Sequence, residues 1–144
     1  MLAALRTSLA GWLSRIRPRR SLGYRGEAAA ARHLKRLGYK IVGRSQRSVL
    51  GELDLVAVDG KTVVFVEVKT RESNDAGNPA EAVDAEKQRR LTRLALAFLK
   101  RRGLLEHAAR FDIIAVTWAQ GVRRPRIEHF KNAFEPVGRG QMFS

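Results

Sequence analysis

The chain has 144 residues, enough for one domain, and its 44% hydrophobic content can bury a real core. Its 28 Lys plus Arg outnumber 14 Asp plus Glu, for a net charge of +14, and a pI near 11.4 suits a polyanionic partner such as DNA or RNA. The absence of cysteine excludes disulfides and thiolate zinc sites, and no apolar run approaches the roughly 20 residues of a membrane span.

Residues 1–22 read as a basic amphipathic extension. Leu2, Leu5, Leu9, Trp12, Leu13 and Ile16 fall at helical spacing, and Arg15, Arg17, Arg19 and Arg20 crowd their end. A signal peptide carries its charges first and its apolar run second, and here that order is nearly reversed. The main domain spans 23–135, and 136–144 forms a short tail. Ala28, Ala31, Leu34 and Leu37 repeat at spacing three, which predicts a helix over Tyr24–Leu37 stopped by Gly38. Strands are expected over Tyr39–Val42, Val49–Val58 and Thr62–Thr70, the last two joined by an Asp59-Gly60 hairpin signal. After a polar loop, a long helix starts at Asn78-Pro79 or at Asp84. Its apolar stripe is Leu91, Leu94, Ala95, Phe98 and Leu99, and it runs to about Arg102, where Gly103 ends it. Strands over Phe111–Trp118 and Arg126–Phe130 complete an α/β plan: a mixed sheet of about five strands flanked by helices on both faces.

The second and third strands carry the chemistry. One reads Gly51-Glu52-Leu53-Asp54-Leu55-Val56 and the other Val63-Val64-Phe65-Val66-Glu67-Val68-Lys69. With Asp59-Gly60 as the two-residue turn, Glu52 falls opposite Glu67, and Asp54 becomes its diagonal neighbour. Lys69 shares their face because side chains alternate with period two. Clustered carboxylates inside apolar strands cost desolvation and repulsion. A divalent cation between them would relieve both. Mg²⁺ (or Mn²⁺) prefers carboxylate oxygen and can activate water for attack on phosphorus. The lysine can neutralise charge developing on the phosphoryl group.

Glu52-Leu53-Asp54-Leu55-Val56 followed by Phe65-Val66-Glu67-Val68-Lys69-Thr70-Arg71 resembles the YraN family of small bacterial proteins. That family is grouped with restriction-endonuclease-like nucleases and Holliday-junction resolvases of the PD-(D/E)XK type. The resemblance spans roughly Gly23 to Phe134. It includes Gly26-Glu27, Arg47, Lys87, Arg110-Phe111-Asp112 and Asn132-Ala133-Phe134. It implies a restriction-endonuclease-like fold, with Asp54 and Glu67 as metal ligands and Lys69 as catalytic lysine. Glu27 is then the first-helix acid that completes such a site, and Glu52 a further ligand. Ser45 stands where the family usually has Asn, and Ala76 where an aromatic is usual.

Arg47, Arg71 and Lys87 flank the acidic motif and are expected to contact phosphate. His33, His107 and His129 lack metal-ligand spacing. Trp118 is expected to pack on its strand in preference to stacking on a base. No phosphate-cradling glycine loop or Ser-His-Asp order is present. The expected protein is a cytoplasmic, Mg²⁺-dependent DNA endonuclease without integral membrane association. DNA is favoured over RNA, and resolvase analogy implies a homodimer on branched substrates. The alternative is a non-catalytic nucleic-acid-binding module that keeps the nuclease fold.

Overall fold

A computed structural model describes residues 21–73, 77–78, 81 and 83–137. Residues 1–20 of the amphipathic extension, Ala76, Pro79 and the tail beyond Val137 lie outside the described residues, while Ser21 and Leu22 already belong to the first helix as its cap and first residue.

Helix α1 (Leu22–Arg36) begins at Ser21, whose hydroxyl accepts the Tyr24 amide at 3.1 Å. Gly38 ends it by taking the left-handed conformation, φ +88°, that a helix stop requires. Strands β1 (Lys40–Ser48), β2 (Gly51–Asp59) and β3 (Thr62–Arg71) follow as an antiparallel meander. Helix α2 (Ala85–Arg101) is capped by Asp84, which accepts the Lys87 amide at 2.8 Å. Of the two starts the sequence offered, the helix uses the second. Strands β4 (Ala109–Thr117) and β5 (Arg126–Phe134) complete a sheet of order β1-β2-β3-β4-β5. Only β3 and β4 are parallel, and α2 is the crossover that parallel neighbours need.

The sheet is packed on both faces, because α1 and α2 each have one apolar side. Leu91, Leu94, Phe98 and Leu99 of α2 bury Phe65, Phe111 and Ile113. Ala29, Ala30 and Leu34 of α1 bury Val64, Val66, Ile114 and Val116. The protein is thus α/β, a five-stranded mixed sheet with one helix on each face, consistent with a restriction-endonuclease-like fold. Among the described residues no helix is long and apolar enough to cross a membrane.

Three local departures from the sequence reading have identifiable causes. The hairpin turn is Gly60-Lys61, not Asp59-Gly60, because Asp59 pairs with Thr62. Gly60 (φ +60°) takes the left-handed position first, so a two-residue turn closes one position later. β1 reaches Ser48, although Arg44–Ser48 are polar, because it is an edge strand and pairs only with β2. β5 extends past Phe130 to Phe134 through an irregularity opposite Asp112. There Asn132 (φ +51°) turns the chain and Phe134 stacks on Phe111 at 4.6 Å.

Candidate active site

The true turn moves the register of the acidic hairpin. The β2–β3 ladder ends at Leu55 opposite Val66. Continued by one residue, that register sets Asp54 beside Glu67, while Glu52 pairs across the other edge with Arg47. The strict alternation assumed from sequence fails here. Leu53 packs with Val56 on the α2 face, yet Leu55 packs with Ala57 on the α1 face. Where the ladder stops, Asp54 substitutes for the missing backbone acceptor: the Val68 amide donates to Asp54 Oδ2 at 2.9 Å. The carboxylate is therefore held by the strand itself and keeps one oxygen outside that bond.

This divergence opens the end of the sheet to α1. Glu27, Glu52 and Asp54 come together, each offering an oxygen within 4.8 Å of the others. Helix α1 can deliver Glu27 because its neighbour is glycine. A Cβ at Gly26 would lie 1.8 Å from Thr70 Oγ1 on β3, so only glycine permits this approach. Thr70 Oγ1 is buried and has no hydrogen-bond partner among the described residues. Ser45 on β1, in the left-handed region at φ +45°, donates to Glu27 Oε2 at 3.3 Å. The Asn usual in the resembled family suits that conformation better than Ser does.

The site is acidic and under-compensated. Burial, then the neighbouring Glu67, pushes Asp54 up to about 7. Glu27 is also raised, by burial first and by Glu52 and Glu67 after it, although Ser45 and Arg47 oppose the shift. Glu67 is 8% exposed and faces two ammonium groups, Lys87 at 2.6 Å and Lys69 at 3.8 Å. Burial and the adjacent Lys87 hold Lys69 below its ordinary value. Lys87 moves the other way: burial works against its charge, but Glu67, Lys69 and Asp54 together outweigh burial. Three hard oxygen donors in reach of one point, one of them with a pKa near 7, fit a divalent cation, which would replace the missing positive charge.

Of the residues singled out from sequence, the fold brings Glu27, Glu52, Asp54, Glu67, Lys69 and Lys87 to one end of the sheet. Arg47 also reaches it, bonded to Glu52 at 2.8 Å with its own side chain largely in solvent. Arg71 is committed elsewhere. It donates to the Gly77 carbonyl and to Thr117 Oγ1, and lies 3.8 Å from Glu128. It fastens the ends of β3 and β4, where the Trp118 amide also donates to the Arg71 carbonyl at 2.8 Å.

A second polar cluster lies inside the α1 face. Asp112 is fully buried and accepts from His129 Nε2 at 2.8 Å, from the Asn132 amide at 2.9 Å and from Arg110 at 3.0 Å. Arg110 continues to Asp59 and to the Tyr39 hydroxyl. His33 meets His129 at 3.1 Å. Burial alone would raise Asp112, but His129, Arg110 and the Asn132 amide overcome it and hold the carboxyl below its ordinary range. Every member of this cluster is satisfied, and Asp112, at its centre, has no exposed surface. Its part is to hold β4 and β5 together. The spacing Arg110-x-Asp112 could have shown this, because both residues fall on one side of a strand.

Sequence reasoning passed over a set of arginines on the other flank of α1: Arg25, Arg32 and Arg36, together with Arg123 and Arg124. The first three recur at helical spacing, a legible signal; the last two reach them only through the fold.

The family model described as an uncharacterised protein family, UPF0102, matches residues 26–116, a span holding all eight site residues named from sequence. A UPF0102 protein of Geobacter sulfurreducens is 54% identical over 114 residues, covering 79% of this chain and 88% of that one. Another from Rhodopirellula baltica is 47% identical over 120 residues, with 81% and 72% covered. A third from Moorella thermoacetica is 47% identical over 116 residues, with 81% and 97% covered. With most of the chain aligned at such identity, the chain belongs to the UPF0102 family, the YraN family of the sequence resemblance.

Proposed function

We propose that the protein is a divalent-metal-dependent endonuclease that hydrolyses phosphodiester bonds of DNA in the cytoplasm, with branched or structured DNA as its substrate class. The observation that carries this reading is the convergence of Glu27, Glu52 and Asp54 within 4.8 Å, beside Glu67 and Lys69. A purely structural cluster has no reason to keep an acid strained up to a pKa of about 7. Glu27, Glu52 and Asp54 would hold Mg²⁺ or Mn²⁺, with Glu67 beside them completing the acidic set. The bound cation supplies an activated water and charge neutralisation at the phosphoryl group. Lys69 neutralises charge developing on the scissile phosphate. Lys87 fixes Glu67 in place through its ion pair at 2.6 Å, and Arg47 fixes Glu52 at 2.8 Å. A paired scissile site in a four-way junction favours action as a homodimer.

The test is a panel of linear, nicked, flap and four-way-junction DNA with Mg²⁺ or Mn²⁺. Cleavage by the wild type and none by Glu67→Ala or Lys69→Ala is expected. Equal cleavage by Glu67→Ala would overturn the assignment.

One observation favours a second reading, a nucleic-acid-binding module without catalysis: Lys87 already neutralises Glu67 at 2.6 Å. Metal titration separates the two. A ligand specific for the native state must raise the melting temperature. Mg²⁺ should therefore stabilise the wild type more than Asp54→Ala, and equal responses would favour the binding module.

A further inference from the structure

Where this protein carries its excess charge is informative. At the acidic end the nearby cations are spent on carboxylates: Arg47 on Glu52 and Lys87 on Glu67. On the opposite flank of α1 the balance is different. Arg25, Arg32 and Arg36 are spaced by seven and four residues, so they project within about 40° of one another around the helix axis. Arg32 and Arg36 face Arg123 and Arg124 of the β4–β5 connection across a cleft of about 360 Å³, with Trp118 in its wall. Arg25 lies over the Trp118 ring at 4.1 Å. Among the described residues none of these five arginines pairs with a carboxylate. Glu128, adjacent to Ile127 of the cleft wall, is already held by Arg126 at 2.9 Å and Arg71 at 3.8 Å.

Converging guanidinium groups repel one another unless an anion lies between them. Their planar forks match phosphate oxygens two at a time. The stripe from Arg25 to Arg36 runs about 16 Å along the helix, room for several phosphates of one strand. It also starts close to the acidic site. Arg25 precedes Gly26 and Glu27, and Trp118 is bonded to Arg71, two residues beyond Lys69. A strand leaving the acids around the first turn of α1 meets Arg25 and Trp118 first and then the rest of the cleft. No acidic residue stands in that first turn to repel it.

We propose that this arginine cleft is the track for a single strand of nucleic acid that leads away from the acidic site. The proposal rests on the nuclease reading for its occupant and assigns the molecule a preference for substrates with an unpaired strand. A cleft of about 360 Å³ lined by guanidinium groups and one indole offers a backbone track with a stacking face, which suits an unpaired strand better than a duplex.

The test is binding in EDTA, so it does not depend on catalysis. The probes are a fluorescein-labelled duplex with a single-stranded extension and its blunt counterpart. Arg32→Ala/Arg36→Ala/Arg123→Ala/Arg124→Ala is compared with Lys61→Ala/Arg93→Ala/Lys100→Ala/Arg101→Ala, which removes the same charge from exposed positions elsewhere. The cleft variant should bind the extended probe at least ~10-fold more weakly, with a salt slope reduced by about two to three, close to 0.7 per lost single-strand phosphate contact. The control variant should lose less, and equally on both probes. Equal losses in the two variants, or no advantage of the extended over the blunt probe for wild type, would overturn the proposal. So would a cleft variant that keeps DNA binding but loses binding to phosphatidylglycerol vesicles. A check free of the multiple variants uses Trp12→Phe, which leaves Trp118 as the sole tryptophan. Its emission should change on titration with the extended probe, and an unchanged spectrum at saturation would count against the track. If the cleft fails these tests while Glu67→Ala still abolishes cleavage, the nuclease reading stands and the track falls. If the wild type binds neither probe, both fall.

Discussion

Asp54 must ionise against burial and against Glu67, and the consequence depends on pH. Its folded pKa of about 7 lies above the ordinary 3.8. A carboxyl raised by folding loses its proton first in the unfolded chain, so it weakens the fold as pH climbs from its unfolded to its folded value. The cost is absent below both values and complete above about pH 7. Asp54→Asn keeps an oxygen for the Val68 amide and removes the charge. In EDTA at about pH 8 it should gain roughly 1–3 kcal/mol by urea denaturation, and at about pH 4 almost nothing. An equal gain at both values would show that charge is not the cause. Ser45 offers a simpler case. It pays for a left-handed φ of +45°, which Asn tolerates better, so Ser45→Asn should raise stability by roughly 0.5 kcal/mol. A loss would mean that the Ser45–Glu27 bond at 3.3 Å outweighs the backbone effect.

At the scale of elements, the contact between α1 and β3 decides whether Glu27 reaches the site. Gly26→Ala would force a methyl to 1.8 Å from Thr70 Oγ1, and the helix must lift or rotate. The expected loss is roughly 1–3 kcal/mol, the usual range for overpacking. The stabilisation of the wild type by Mg²⁺ should weaken with it, because Glu27 moves away from Asp54. Gly23 is the control on the same helix. A Cβ there meets only Ser21 Oγ at 4.0 Å, so Gly23→Ala should be neutral or stabilising by up to about 1 kcal/mol. Thermal melts of both variants with and without Mg²⁺ check the pair. Similar behaviour in the two would show that helix propensity, not the close approach, governs Gly26.

Across the whole molecule the polar cluster on Asp112 does what an apolar contact would do elsewhere, tying β4 and β5 to the hairpin through Arg110 and Asp59. Removing Asp112 takes the acceptor from His129, Arg110 and the Asn132 amide at once. Asp112→Ala should cost at least about 3 kcal/mol, measured by chemical denaturation. The same cluster shapes the acid limb. Asp112 is held below its ordinary pKa, so its stabilisation is present above the unfolded value near 4 and disappears as pH falls through the folded one. His33 is also lowered, by burial first and then by His129, Arg36 and Lys131. A histidine kept from protonating costs stability as pH falls below its ordinary 6.5. Stability should therefore decline in two stages on acidification. His33→Gln should remove the first, which sets in as pH falls below His33's ordinary 6.5, without touching the second; a profile unchanged by His33→Gln would rule out that histidine as the source.

Much of this was legible in the residues. The order of elements, the helix on each face of a mixed sheet, and the concentration of Glu52, Asp54, Glu67 and Lys69 on one hairpin follow from local periodicity and from charges in apolar strands. Such signals are local, and each is complete within one element or one hairpin. The register was not local. A turn closing one residue later put Asp54, not Glu52, beside Glu67, because Asp59-Gly60 and Gly60-Lys61 both offer a two-residue turn and only the ladder chooses between them. Nor could spacing show that β2 leaves the ladder after Leu55, so that Asp54 takes the Val68 amide and turns toward Glu27 on a helix 27 residues earlier in the chain. The Asp112 cluster and the arginine cleft depend in the same way on contacts between distant segments, with His33 meeting His129 and Arg32 facing Arg123. Sequence determined which chemistry the chain carries. Tertiary structure decided which groups meet, because register, helix approach and strand divergence are set by packing across the sheet and not by any one segment.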